Sequence, residues 1–179
     1  MKLLLDTCVL YPTVMREMLL GAARAGHFVP LWSARILGEW ERAAVKLGPA
    51  GAAQATAEIA LLKAAWPKAE VAPAPGLEAR LWLPDQHDIH VLAAAIAGHA
   101  DGIVTVNAKD FPRQTLAEEG LTRSAPDELL YDFWLKHPEG IEAVGQAVLA
   151  EARRLSGEDW QMRALLKKAR LPRLAKALA

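Results

Sequence analysis

The sequence contains one cysteine, Cys8, among its 179 residues, and this scarcity excludes two ways of stabilising a fold. A single thiol can form neither an internal disulfide nor a thiolate metal cluster. We therefore predict that Cys8 is a core residue that packs as a small apolar side chain. Low cysteine content is also typical of the reducing cytosol, so we predict a cytoplasmic location.

The sequence also lacks long apolar runs. No run reaches the roughly 18 residues that a membrane-spanning helix needs, and no opening segment has the pattern of a cleaved leader. We therefore expect no association with a membrane. A chain of this length with 53% hydrophobic residues can bury a full core, and it suggests one domain with room for an appendage.

The chain has no net charge, because 21 basic residues balance 21 acidic ones. The total charge thus gives no argument for nucleic-acid binding. Residues 150–179 nevertheless contain eight basic and three acidic residues. Two interpretations of this basic tail stay open. Arg163, Lys167, Lys168 and Arg170 guide a phosphate backbone, with residues 163, 167 and 170 on one helical face, or they form a solvated or protein-docking face.

Three consecutive leucines, Leu3 to Leu5, open the chain without polar alternation. Such a run favours a strand that is buried on both faces, as at the centre of a parallel sheet. Asp6 and Thr7 would then lie where the strand ends, and ligands of open α/β sheets bind at this edge. A strand-ending aspartate is also a common turn or cap residue, so its position alone does not decide its role.

Helices and strands alternate after this strand. Apolar spacing of three and four residues predicts helices, and short apolar or β-branched runs between turn residues predict strands. The expected helices cover residues 14–25, a segment that begins after Ser33, and residues 52–65, 85–98 and 112–119. The expected strands cover residues 27–32, 103–106 and 121–122. This alternation predicts an α/β fold, a three-layer α/β/α sandwich with a central, mostly parallel sheet.

Two segments depart from the alternation. Residues 70–84 are rich in proline, and we predict loop and edge structure there. The last part of the chain is helical only, with helices expected over residues 127–136, 141–155 and 158–170. We expect a frayed end after Pro172. The predicted organisation is therefore a main domain over residues 1–130 and a C-terminal helical extension over residues 131–179.

Four acidic residues from distant parts of the chain fall at element ends or on a helix. They are Asp6 after the first strand, Glu39 on a helix, Asp88 at a helix start and Asp110 after a later strand. A parallel sheet would bring such positions to one edge, where carboxylates can hold one or two hard cations such as Mg²⁺ or Mn²⁺. Without a cation these carboxylates would repel one another and have raised pKa values.

Plain structural roles for these acids stay open. Asp88 could belong to a helix start that Asp85 caps, and for Asp85 we favour the cap over a ligand role. Glu39 could pair with Arg35 or Arg42 on its own helix.

Other polar and aromatic residues suggest further alternatives. Asp110 could simply cap the next helix. His87 and His90 suggest a zinc site, but no matching third ligand is apparent. The six tryptophans are too scattered for a base-stacking platform, so we predict that they serve packing.

Several of these segments, taken in order, resemble the PIN domain nucleases and most nearly the VapC-like toxin ribonucleases. The matching residues are Leu3-Leu4-Leu5-Asp6-Thr7, Glu39, Asp88 followed by Leu92-Ala93-Ala94-Ala95, and Val104-Thr105-Val106-Asn107-Ala108-Lys109-Asp110-Phe111. Each piece is weak alone, but the order and spacing are fairly specific. The resemblance covers residues 1 to about 130 and leaves the C-terminal helices outside it.

The resemblance implies a metal-dependent endoribonuclease. Asp6, Glu39 and Asp88 would bind Mg²⁺ or Mn²⁺ directly or through water. Asp110 would be the fourth acid, although Asn107 also faces the site in many relatives.

The same resemblance implies a substrate and partners. Thr7 and Thr105 would be hydroxyl partners for phosphate or metal-bound water, and a metal-activated water would hydrolyse RNA to products with a 5′-phosphate. The implied partners are RNA, an antitoxin protein and, through the apolar faces of the extra helices, a second copy of the chain.

Three rival classes can be compared with this interpretation. A haloacid dehalogenase-type phosphotransferase would need Asp-x-Asp, but Asp6-Thr7-Cys8 lacks the second acid. A receiver domain would need paired acids and a late lysine that we do not find. A catalytically silent PIN-like module that binds RNA or protein is the remaining alternative, and four retained acids at one edge argue against it because they would destabilise the fold.

Overall fold

The computed structural model describes residues 1–179 and has a five-stranded sheet at its centre. The strands are β1 (Lys2–Leu5), β2 (Val29–Ser33), β3 (Glu70–Val71), β4 (Gly102–Val104) and β5 (Thr122–Ser124). Their spatial order is β3-β2-β1-β4-β5, and every neighbouring pair is parallel. The predicted α/β/α architecture with C-terminal helices is therefore confirmed.

Eleven α-helices surround this sheet, and a short 3-10 helix (Gln86–Asp88) precedes the sixth. They are α1 (Thr7–Leu10), α2 (Thr13–Arg24), α3 (Ala34–Val45), α4 (Pro49–Ala65), α5 (Pro75–Arg80), α6 (Ile89–Ala97), α7 (Arg113–Glu118), α8 (Pro126–Lys136), α9 (Pro138–Ser156), α10 (Met162–Lys168) and α11 (Pro172–Ala177). Because the chain runs outward from β1 to β3 and then crosses back to β4, right-handed crossovers put the helices of the two halves on opposite faces. None of the helices is both long and apolar enough to cross a lipid bilayer.

The triple leucine forms β1, the central strand. Leu3, Leu4 and Leu5 are at most 2% exposed, as expected for a strand covered on both faces. Leu4 pairs with Leu31 of β2 on one side and with Ile103 of β4 on the other. The strand order reverses between β1 and β4, so the C-terminal ends of these two strands border the crevice where open α/β sheets bind ligands.

The segment 70–84 is more regular than its prolines suggested. Its first two residues form the edge strand β3, but Pro75–Arg80 form helix α5, so the prediction of a loop is wrong there. Pro75 lies in the first turn of that helix. Backbone N–H groups in the first turn have no partner within the helix, so proline loses no hydrogen bond there, and its restricted φ angle is already close to the helical value. This proline therefore starts a helix.

The C-terminal helices pack on the sheet domain through α2. Gly21 of α2 faces Val144 of α9 so closely that an added Cβ would collide with the valine side chain. One continuous apolar core includes residues of β1, α2, α9 and α10. The division into a main domain and an extension near residue 130 stays a prediction. The residues on both sides of that boundary contribute to the same apolar core.

The last residues of the chain are not frayed, contrary to the prediction. They form α11, whose first N–H groups, those of Arg173 and Leu174, donate to the carboxylate of Asp127 at 2.9 and 3.0 Å. Leu174 is fully buried, so packing also holds this helix. The preceding α10 ends at Lys168, and Arg170 has a left-handed φ of 63°. The prediction that Arg170 shares one helical face with the other basic residues is therefore wrong.

Candidate metal centre

Asp6 lies at the crevice between β1 and β4, and both oxygens of its carboxylate are engaged. Oδ1 accepts a hydrogen bond from the backbone N–H of Thr7 at 2.7 Å and so caps α1. Oδ2 accepts from the hydroxyl of Thr105, which follows β4, at 2.8 Å. The residue is only 6% exposed. Asp6 is thus both a cap residue and a fixed carboxylate at the ligand-binding edge.

Cys8 packs against the core, but its thiol faces Asp6. The Sγ atom lies 3.2 Å from Oδ2 of Asp6 and 3.3 Å from the Thr105 hydroxyl. Burial, with the negative charge of Asp6, raises the pKa of this thiol to about 12, so the thiol stays protonated at neutral pH. Cys8, predicted as a core residue, is thus half-buried against the core, and its sulfur also forms part of the polar environment of Asp6.

Glu39 approaches the same residues from α3. Its Oε2 accepts a hydrogen bond from the Thr7 hydroxyl at 2.8 Å, and its Oε1 lies 2.6 Å from Nε2 of His90 on α6. Burial raises the pKa of Glu39, but the contacts with His90 and Thr7 outweigh burial and hold this pKa below its usual value. Arg35, which could have paired with Glu39, pairs with Glu78 at 3.6 Å.

The two neighbouring histidines occupy different environments. His90 is 4% exposed and contacts Glu39, and its Nδ1 atom has no hydrogen-bond partner. The side chain of His87 is 93% exposed and lies 3.0 Å from Asp85. The two imidazoles therefore do not converge on one point. A zinc site that uses both is not supported.

Three further carboxylates form a compact group. One oxygen each from Asp85, Asp88 and Asp110 lies within 4.8 Å of the others. Asp85 accepts from the backbone N–H of His87 at 2.9 Å, the cap role expected for it. Asp88 makes no capping hydrogen bond at the start of α6. The carboxylate of Asp88 is therefore available to a ligand.

Asn107 and Asp110 lie side by side in the turn after β4. The amide nitrogen of Asn107 donates to Oδ2 of Asp110 at 2.7 Å and lies 3.4 Å from Oδ2 of Asp88. The backbone N–H of Asn107 donates to the Thr105 hydroxyl at 3.0 Å. Both residues named as candidates for completing the acidic site are therefore adjacent to Asp88.

Asp88 is the electrostatic centre of these acids. Burial and, in decreasing order of effect, the negative charges of Asp6, Asp85, Asp110 and Glu39 together raise its pKa from 3.8 to about 6. The charges of four acids thus act on Asp88, and two of those acids, Asp85 and Asp110, belong to the compact group around it. A divalent cation would relieve this repulsion, and carboxylate oxygens are the ligands that Mg²⁺ and Mn²⁺ prefer. The residues present therefore fit a hard metal ion.

Sequence reasoning missed two residues that hold the acids in position. His90 contacts Glu39, and Arg123 holds the turn that carries Asp110. His90 did leave a signal, since it is polar on a helix whose following residues, from Val91 to Ala97, are all apolar. No sequence pattern indicates the role of Arg123, because its partners are backbone carbonyl groups, which are present at every residue.

We expect Arg123→Ala to weaken metal binding more than it weakens the fold. The guanidinium of Arg123, on β5, donates to the carbonyl oxygens of Ala108 and Phe111 at 2.6 and 2.8 Å and so fixes both sides of Asp110. Loss of such outer contacts typically costs about 10- to 100-fold in metal affinity. Isothermal titration with Mn²⁺ measures the affinity, and Arg173→Ala, on α11, is the matched control. Equal affinities of the Arg123→Ala variant and the parent would contradict the role of Arg123.

Comparison with known proteins gives one match. A family model described as PIN domain matches residues 2–109, which is more than half of the chain. The matched range contains Asp6, Glu39, Asp88 and Asn107 and ends one residue before Asp110. Searches of curated proteins and of solved structures give no significant match.

Proposed function

The chain belongs to the PIN domain family, and from this premise we propose that it is a metal-dependent endoribonuclease. The observation that carries the proposal is the position of Asp88, whose carboxylate caps no helix and is acted on by the charges of four other acids. Such an arrangement is unfavourable without a counter-ion and favourable around one. A catalytically silent module would have no use for this arrangement.

In the proposed site, Asp6, Glu39 and Asp88 hold the ion directly or through water, and Asp110 with Asn107 completes the ligand set. A bound Mg²⁺ or Mn²⁺ supplies activation of water and neutralisation of charge on the phosphate oxygens. The Thr105 hydroxyl fixes one oxygen of Asp6, and the Thr7 hydroxyl fixes one oxygen of Glu39. These hydroxyl groups thereby orient two carboxylates before substrate arrives.

The biological setting is a finer part of the proposal. We propose that the chain acts in the cytoplasm as the toxin of a toxin–antitoxin pair and that it forms a homodimer. The resemblance of its ordered acidic motifs to VapC-like ribonucleases supports the toxin role. An apolar groove of about 560 Å³ between α2 and α9, lined by Val14, Val144 and Val148, offers a surface for an antitoxin segment.

The test is cleavage of an end-labelled single-stranded RNA by the purified chain. We expect internal cleavage in Mg²⁺ or Mn²⁺, none in EDTA, and full recovery when the ion is restored. Hydrolysis with departure of the 3′-oxygen leaves a 5′-phosphate, so a 5′-phosphate-dependent exonuclease should degrade the downstream products. Cleavage that persists in EDTA, or products with cyclic phosphate ends, would contradict the proposal.

A further inference from the structure

Trp82 differs from the other tryptophans, and the prediction that all six serve packing is wrong for it. Trp32 and Trp40 are at most 2% exposed, whereas Trp82 is 65% exposed. Its neighbour Leu83 is 1% exposed and anchors the segment, so the indole is presented to solvent by a fixed backbone. A single exposed aromatic residue is common in proteins. Its surroundings decide whether it has a role.

Trp82 lines a cavity of about 490 Å³ that lies between α5 and α7. Both walls of this cavity continue directly into the acidic centre. Trp82 precedes Asp85 by three residues, and Pro112, in the opposite wall, follows Asp110 by two. Chain segments of that length span at most about 11 and 7 Å, respectively. Trp82 and Pro112, in the two cavity walls, therefore lie within these distances of Asp85 and Asp110.

The charges and hydrogen-bonding groups that line the cavity indicate which kind of ligand it can bind. Arg80 in its wall is neutralised by Glu119, to which it donates two hydrogen bonds of 2.7 and 2.9 Å. Glu118 lies in the same wall with no basic partner, and its carboxylate accepts only the amide of Gln114 at 3.5 Å. A phosphate group would meet this carboxylate and be repelled. A neutral, flat ring with N–H groups on its edge would meet an aromatic face and hydrogen-bond acceptors.

Two basic residues lie in the chain segment that carries Asp110 into the cavity wall at Pro112. Lys109 and Arg113 flank Asp110 in sequence and are both exposed. A strand with phosphates near these cations and one base turned aside would therefore meet a complementary charge at each position.

We propose that this cavity is a nucleobase subsite, in which a base of single-stranded RNA next to the scissile phosphate stacks on the indole of Trp82. The edge of the base faces Gln114 and Glu118, so bases with an exocyclic amino group are favoured. This inference rests on the proposed function, since it uses the acidic centre to define where the phosphate lies. Trp82 binds substrate and takes no part in the bond cleavage.

The test compares Trp82→Ala with Trp82→Phe and with Trp134→Ala, a matched control on α8. We expect Trp82→Ala to raise the KM for a short single-stranded RNA by about 5- to 150-fold, the range for loss of one stacked base, with little change in kcat. Trp82→Phe should restore most of the affinity because it keeps an aromatic face. Trp134→Ala should behave as the parent. An unchanged KM for Trp82→Ala would overturn the subsite while leaving the nuclease proposal intact.

A second measurement does not depend on cleavage. Oligonucleotides that lack one base at each position in turn are bound to the parent and to Trp82→Ala, in EDTA, and the tryptophan fluorescence is followed. We expect one base-free position to weaken binding to the parent, and no such position for Trp82→Ala. One base-free position that weakens binding to a parent that never cleaves, but not to Trp82→Ala, would uphold base binding at Trp82 and refute the nuclease proposal. Equal binding of all oligonucleotides to the parent would overturn the subsite.

Discussion

Replacing Asp6 with asparagine should reduce metal-dependent RNA cleavage by about 10³-fold, because a bound cation contributes several kcal/mol to catalysis and each ~1.4 kcal/mol is a factor of ten. Asp6 is the most buried of the acids and has both oxygens engaged by Thr7 and Thr105, so its position is the best defined. The asparagine keeps one carbonyl oxygen that can still accept the Thr7 N–H. The fold should therefore survive the change.

The control for this variant is Asp101→Asn. Asp101 is exposed and precedes β4. It therefore lies at the N-terminal ends of the parallel strands, whereas Asp6 lies at their C-terminal ends. Its carboxylate accepts the backbone N–H of Lys2 at 2.7 Å, a bond that asparagine can also accept. Initial rates at saturating Mn²⁺, with circular dichroism as a check on folding, decide the outcome. Parental rates for a folded Asp6→Asn variant would show that the metal centre is assigned to the wrong residues.

The second large effect is stabilisation by metal. A cation that binds only the native state stabilises it by about 2.7 kcal/mol at a hundredfold excess over Kd. For a chain of this size that corresponds to a rise in Tm of about 5–11 °C. Asp88→Asn should lose most of this rise, because the variant lacks the central ligand. Without metal, at pH 7.5, the same variant should be more stable than the parent, since it lacks the charge that the four other acids repel.

The effect of pH on this stabilisation follows from the pKa of Asp88. In the folded chain that pKa is about 6, above its ordinary value of 3.8, so between these pH values the native state holds a proton that the unfolded chain has released. Without metal, stability should therefore fall as pH rises through this window. Metal competes with the same proton, so its apparent affinity should rise with pH, by up to about tenfold per unit below pH 6, and level off near pH 7.

Scanning calorimetry with and without Mn²⁺ from pH 5 to 8 measures both effects. Asp132→Asn, which removes an exposed acid of α8, is the matched control and should keep the full metal-induced rise. The same rise in Tm for Asp88→Asn and for the parent would mean that the ion binds elsewhere. A metal affinity that does not vary between pH 5 and 7 would remove Asp88 from the ligand set.

The parts of the fold that could be predicted from the sequence are those with a strong local pattern. The uninterrupted leucines of β1 specified a strand covered on both faces, and this placed Asp6 at the edge where ligands bind. The apolar run after Asp88 specified α6 in the same way. Ser33, expected as a helix cap, accepts the N–H of Ile36 at 3.2 Å. In each case the local preference and the tertiary environment agree.

The parts that could not be predicted depend on distant partners or on ambiguous residues. Proline marks both loops and first helical turns, so α5 was mistaken for a loop. The contact between Glu39 and His90 joins two helices, and no local rule connects them. Trp82 was assigned to packing because composition cannot separate an exposed indole from a buried one. These are the same residues that give the candidate site its shape.

The hydrogen bond between Asp6 and Thr105 has a consequence for the order of folding, because it joins residues 99 positions apart. Closing a loop of that length costs conformational entropy before any contact between β1 and β4 is gained. A nascent chain that has exposed Asp6 and Glu39 still lacks Asp88 and the whole of β4. The complete set of ligands therefore exists only when β4 has joined β1, late in assembly. An ion that needs this complete set of ligands therefore stabilises only chains in which β4 already lies beside β1.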